Sequence, residues 1–140
     1  MSFVKKYKTD RAAETEGTWV VIDKEEGISV KVRRFNSPAA RALRGELDVE
    51  FGKELKSEDA DVVEKANEKL MTRMLAKAII VDWDGISDED ANGNEIVIPF
   101  SPDTAEDILF KYPDFRNEIL AIVFDRSTFR QQVREVAGKN

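Results

Sequence analysis

From Ala60 onward apolar residues return at every fourth position, at Val62, Ala66, Leu70, Met74 and Ala78. Val63, Met71 and Leu75 widen that row into a stripe. Only an α-helix gathers such positions onto one face, because 3.6 residues per turn stacks each residue over the one four places on. The spacing predicts a long amphipathic helix over about 60–81. One side of it must be buried, so every other element has to be read as cover for that side. Ser57-Glu58-Asp59 stands before it as the cap region, and Met71 and Met74 read as core rather than as a pliable contact face.

Upstream, Trp19-Val20-Val21-Ile22 is β-branched and aromatic, and Ile28-Ser29-Val30-Lys31-Val32-Arg33 alternates apolar with polar. The two runs are joined by a short turn ending in Gly27, which predicts a β-hairpin over 19–35 with Ile28, Val30 and Val32 on its buried face. Ser37 then reads as an N-cap and Pro38 as the first residue of a helix over about 38–55, with Leu43, Leu47 and Phe51 inward and Gly45 and Gly52 as weak points. Residues 82–98 look irregular apart from a short Ile96-Val97-Ile98 strand. Ser101-Pro102 opens a helix over about 102–112, burying Ala105, Ile108 and Leu109, and Tyr112-Pro113 closes it. A last helix over about 114–137, capped by Asp114, would turn in Phe115, Ile119, Ile122 or Val123, Phe129 and Val133, with Ser127-Thr128 as its point of interruption. Residues 1–16 read as an N-terminal arm ordered by what it touches. The expected fold is a single α+β domain over 17–140, mostly helical, with the hairpin packed on a helical bundle; 140 residues suffice for one core.

Chemistry is narrowed by two absences. The chain has no histidine and no cysteine, which removes the commonest general base, the Ser–His and Cys–His pairs, thiolate nucleophiles and cysteine-based metal sites. No cofactor is expected. The longest apolar run, Ala78 to Val81, is too short to span a bilayer, and the Met-Ser-Phe-Val-Lys-Lys start lacks the apolar stretch of a signal peptide; a cytoplasmic location is expected, without membrane contact. A net charge of −6 works against nucleic-acid binding, and the basic Lys31-Val32-Arg33-Arg34 strand lacks interleaved aromatics.

Two carboxylate groupings point to chemistry nonetheless. Ile80-Val81-Asp82-Trp83-Asp84-Gly85 resembles the nucleophile loop of haloacid-dehalogenase-type phosphatases, in which Asp82 and Asp84 would serve a metal-dependent phosphohydrolase. That reading needs a parallel, doubly wound sheet, and Ile86 stands where a threonine belongs. Asp88, Asp90, Asn92 and Gly93 match the first half of a calcium-binding EF-hand loop, but Pro99 occupies the position of its closing glutamate. Charge is also segregated: no Lys or Arg occurs from Ala78 to Phe110, while basic residues gather at Lys5, Lys6, Lys8 and Arg11 and at Arg126, Arg130 and Arg134. Such segregation describes either solvated faces or complementary ends that orient a weak head-to-tail homo-oligomer. Phe124, Phe129, Val133 and Val136 would then either pack inside a monomer or supply that contact's apolar surface.

The order of motifs carries a resemblance. Gly17-Thr18-Trp19-Val20, Val30 to Phe35, a long helix running into Val81-Asp82-Trp83-Asp84-Gly85-Ile86, the acidic tract to Gly93, Ile98-Pro99-Phe100-Ser101, Pro113-Asp114 and Phe129-Arg130 together resemble the tail assembly chaperone family of long-tailed bacteriophages and prophages. The resemblance implies a non-enzymatic protein that binds and solubilises the tape measure protein, a very long helical client, and that is absent from the mature virion. A structural tail or connector protein of the virion is the alternative. Trp83, Phe100, Phe124, Phe129 and Val133 are the candidate partner-binding residues, with Trp83 and Phe100 also readable as core that pins the loop to the helices.

Overall fold

The computed structural model describes residues 2–130. The alternating run folds as expected: β1 (Thr18–Asp23) and β2 (Ile28–Val32) form an antiparallel hairpin, with Val30 and Val32 fully buried. A third strand, β3 (Ile80–Asp84), pairs antiparallel with the other side of β2, giving the order β1-β2-β3. The helical layer consists of α3 (Pro38–Glu50), α4 (Gly52–Leu55), α5 (Ala60–Met74), α6 (Pro102–Lys111) and α7 (Pro113–Phe124). A separate small hairpin, β4 (Ser87–Glu89) with β5 (Glu95–Val97), bridges β3 to α6. Two short helices, α1 (Ser2–Tyr7) and α2 (Arg11–Glu16), precede the sheet. The fold is α+β and mostly helical.

The long stripe ends earlier than its periodicity predicts. After Met74 the chain widens into a π-helical turn over Leu75–Ile79, and the Ile80 N–H donates to the Leu75 carbonyl before the chain becomes strand. Leu75, Ala76, Ala78 and Ile79 are all buried there, and the turn packs against α3, α5, α6 and β3. It is the centre of the core. Arg33 anchors it from the sheet, its backbone N–H donating to the Ile79 carbonyl (2.8 Å) and its guanidinium to Ala78 (3.0 Å). A cation on the last carbonyls of a helix is favourable, and here it also fixes where helix becomes strand. Ile80 and Trp83 are three residues apart, a helical spacing that strict alternation would send to opposite faces of a strand, which is why residues 80–84 read as helix end and irregular loop rather than as β3. The register shift between Lys31 and Val32 in the β2–β3 pairing brings both to the buried face.

The helices expected over 38–55 and 114–137 are both shorter, while the N-terminal arm is ordered at its described positions by what it touches: Asp10 caps α2, Ala13 is buried, Glu14 pairs with Arg34, and the Asp10 N–H donates to the Phe129 carbonyl (2.7 Å). The 38–55 helix breaks at Phe51, ahead of Gly52, into α3 and α4, and Ser37 holds the N-cap position with its hydroxyl buried and unpartnered. The last helix stops at Phe124, where the Asp125 carboxylate takes the Ser127 N–H and hydroxyl (2.9 and 2.8 Å) and draws Arg126–Phe129 into a 3₁₀ turn. Asp114 is in the first turn of α7 rather than at its cap, which is Tyr112. Val133, Arg134 and Val136 lie outside the described residues.

Candidate functional site

The site grows from the bend between β3 and β4. Gly85 sits there at φ +78°, and a Cβ on it would stand 2.1 Å from the Gly27 carbonyl oxygen. Only glycine lets the β1–β2 turn close onto this bend. Trp83, just before it, is 6% exposed; its indole N–H donates to the Ile98 carbonyl (2.8 Å) and its ring meets Phe100 edge-on at 5.3 Å. The Ile98 N–H returns a bond to the Ile86 carbonyl (2.9 Å). Ser101 and Thr104 then form a reciprocal capping box with Pro102 in the first turn, so α6 starts immediately after the loop. The Trp-x-Gly and Ile-Pro-Phe-Ser segments thus fold as one unit.

Beside this frame runs an open apolar groove of about 320 Å³. Ile28, Ile86, Ile108 and Phe115 make its floor, and Tyr112 and Asp114 stand on its rim. A polar cluster latches the small hairpin over it: the Asp88 carboxylate accepts from Lys111 Nζ (2.7 Å) and from the Tyr112 hydroxyl (2.5 Å). Those two donors, with the Glu89 N–H, hold the Asp88 carboxyl down at about 2, and their bonds to the Asp88 carboxylate raise the Lys111 and Tyr112 values in turn. A second cleft, between α5 and α6, is filled by its own ion pairs, Lys77 with Asp103 (3.0 Å) and Arg73 with Glu106 (3.7 Å).

The carboxylate groupings come out differently from their motifs. Asp82 and Asp84 lie on β3 of an antiparallel sheet, opposite Lys31 and Ser29, not at the end of a parallel strand, and Asp82 accepts the neighbouring Trp83 N–H (2.8 Å). Asp88 is committed to Lys111 and Tyr112, while Asp90 accepts the Asn92 and Asn94 N–H groups (2.9 Å each) to shape the β4–β5 turn. Among the described residues no group of three or more Asp, Glu, His or Cys is placed to hold a metal.

Of the candidate partner residues, Trp83 and Phe100 are brought together, as part of the frame under the groove. Phe129 is fully buried where α2 and α7 meet the 3₁₀ turn, so neither it nor Trp83 is available to a partner while the domain is folded. Phe124 is 56% exposed and stacks on Phe35 with ring centroids 4.2 Å apart, at the far end of α7 from the groove. Val133 falls outside the described residues. Sequence reasoning placed Ile108 and Phe115 as inward positions and Tyr112 as a helix stop, without joining them into one surface. The signal was the Tyr112-Pro113 break between α6 and α7; Ile28 read as a buried hairpin position, with nothing local to bring it to this surface.

The basic segments are also partly spent inside the fold. Arg33 reaches the Thr15 carbonyl as well as Ala78, and Arg34 pairs with Glu14. Arg126 and Arg130 both donate to the Lys6 carbonyl (3.2 and 3.0 Å). They tie the N-terminal helix down rather than standing free.

A family model described as YdaY prophage protein matches residues 22–140, most of the chain. The chain belongs to the YdaY prophage protein family. The match takes in the groove, its tryptophan frame and the latch, and leaves α1 and α2 outside. Membership in the YdaY family makes this a prophage protein, in keeping with the phage origin that the motif order implied. No curated protein and no solved structure matches the chain. No helix among the described residues is long and apolar enough to cross a membrane.

Proposed function

We propose that this prophage protein is a non-enzymatic tail assembly chaperone that binds and solubilises the tape measure protein in the host cytoplasm and is left out of the mature virion. The observation that carries the reading is the open apolar groove on a fixed frame. A helical client lays an apolar stripe into such a groove with little demand on its sequence, and Ile28, Ile86, Ile108 and Phe115 offer apolar contact with a polar rim that keeps the free protein soluble. The loop that most strongly supports the resemblance, Trp83 to Ser101, is the same loop that builds the frame.

The test is co-expression with the product of a very long helical reading frame lying beside its gene. The client should stay in the soluble fraction and co-purify, and Phe115→Glu, at a half-buried groove position, should abolish both while the circular dichroism spectrum is kept. A client equally insoluble with and without the chaperone overturns the reading. Recovery of the chain from purified virions would favour the structural tail or connector alternative. Magnesium-dependent phosphatase activity lost in Asp82→Asn would favour the phosphohydrolase.

A further inference from the structure

We infer that the groove also receives the N-terminal helix α1 of a second copy, joining chains head to tail. The helix carries a bare apolar face: Phe3 and Tyr7, four residues apart with ring centroids at 5.0 Å, and Val4 beside them, exposed by 72, 49 and 55%. Lys5, Lys6 and Lys8 flank that face. The helix is nevertheless held in place. The Lys6 carbonyl accepts from Arg126 and Arg130, and the Arg126 guanidinium lies 5.0 Å from the Tyr7 ring centroid. A cationic apolar plug is thus fixed on the surface without an apolar partner for Phe3 and Val4 among the described elements.

The groove has the matching chemistry. Its floor is apolar, and Asp114 on its rim forms no ion pair among the described residues. The nearest cations are engaged, Lys111 by Asp88 and Arg116 by Glu68. Apolar contact supplies the affinity and charge complementarity the orientation and the encounter rate. Plug and socket lie at opposite ends of α7: Asp114 and Phe115 at its start touch the groove, while the 3₁₀ turn after its end holds α1. Twelve residues of helix separate them by about 18 Å. A contact between two different surfaces at opposite ends is heterologous and repeats from copy to copy, giving open chains or rings rather than two-fold dimers.

A six-residue helix covers little area, so the association is weak, with a dissociation constant on the order of 0.1–1 mM. This inference rests on the groove and not on the client; the two readings also compete, because a client helix in the groove displaces the α1 of the next copy.

Sedimentation velocity on the full chain tests it, at low ionic strength and from micromolar to millimolar concentration. The wild type should show sedimentation that rises with concentration without a plateau at dimer, and high salt should suppress it, since the Debye length shortens to a few ångströms near 1 M. Phe3→Ser, at an exposed position that folding does not need, should weaken association by roughly tenfold, the scale of a single interface anchor. Lys5→Glu and Asp114→Lys should each do the same, and the double variant should restore association. A wild type that stays monomeric throughout overturns the inference, as does association that Phe3→Ser and Asp114→Lys leave unchanged or a plateau at dimer. Loss of self-association together with retained client binding in Phe3→Ser would separate this contact from the chaperone reading.

Discussion

The two β elements of this protein, a three-stranded sheet and a hairpin of two three-residue strands, are held by opposite means. In the β1-β2-β3 sheet one face is driven into the core by Val30, Val32, Ile80 and Trp83, all buried, and the π-turn packs against β3. In the β4–β5 hairpin no strand residue is buried, and Val97 is 78% exposed. A lone two-stranded hairpin is marginal in water. This one is held by directed contacts instead: Asp88 to Lys111 and Tyr112, Ser87 to Glu95, and the bonds that join Ile98 to Ile86 and Trp83. The apolar sheet makes the fold and the polar hairpin shapes the groove.

If that contrast is right, mutations should sort by region, with core changes lowering global stability and hairpin changes acting locally. The largest effect is expected at Phe129, fully buried where α2 and α7 meet the 3₁₀ turn. Phe129→Ala should cost about 3–5 kcal/mol in urea unfolding, by lost burial plus the cavity left behind. A cost below about 1 kcal/mol would mean that this seam is not part of the cooperative core. Gly85→Ala follows closely, at about 3 kcal/mol or more, because a left-handed backbone and a clash with the Gly27 carbonyl act together. It tests the hinge where the two regions meet.

Trp83→Phe keeps the ring against Phe100 but leaves the Ile98 carbonyl without its donor, which should cost about 1–3 kcal/mol. Hydrogen exchange should rise at Ile98 and in the β4–β5 turn and stay unchanged at Val30 and Val32. Uniform acceleration across both elements would dissolve the distinction. The smallest global effect is expected from Tyr112→Phe, which removes one exposed donor to Asp88: thermal unfolding should hardly move, while β4–β5 exchange quickens.

Acid sharpens the same point. The Asp88 carboxyl has an ordinary value of 3.8 and is held at about 2 in the folded latch, first by Lys111 and then by Tyr112. A depressed carboxyl stabilises the folded form fully above its unfolded value and loses that contribution as the pH falls through the folded one. Hairpin protection should therefore be constant above about pH 4 and fade towards pH 2, and Asp88→Asn should flatten that dependence.

Several features were legible from local pattern because they are local physics. The β1–β2 alternation, the α5 stripe, the Ser101-Pro102 start and the proline stop at Tyr112-Pro113 each depend on residues within a few positions of one another. The groove was only half legible. Ile108 and Phe115 read as inward, yet nothing near Ile28 announces that the first hairpin's turn meets them from 80 residues away in the chain.

What the amino-acid order determined by itself is the set of elements and their apolar faces, together with a chemistry stripped of histidine and cysteine. What only the tertiary structure decided is where those faces change role. Ile80 to Asp84 became the third strand because Arg33 and β2 capture the end of the long helix, and the N-terminal stretch became helical cover because Asp10 and Lys6 bond to the chain around Phe129. Trp83 and Phe129 became core rather than contact surface through the same long-range closure. Periodicity records which side of a segment must be dry; which partner dries it is set by packing between residues that are distant in sequence, and that information exists only once the chain has closed.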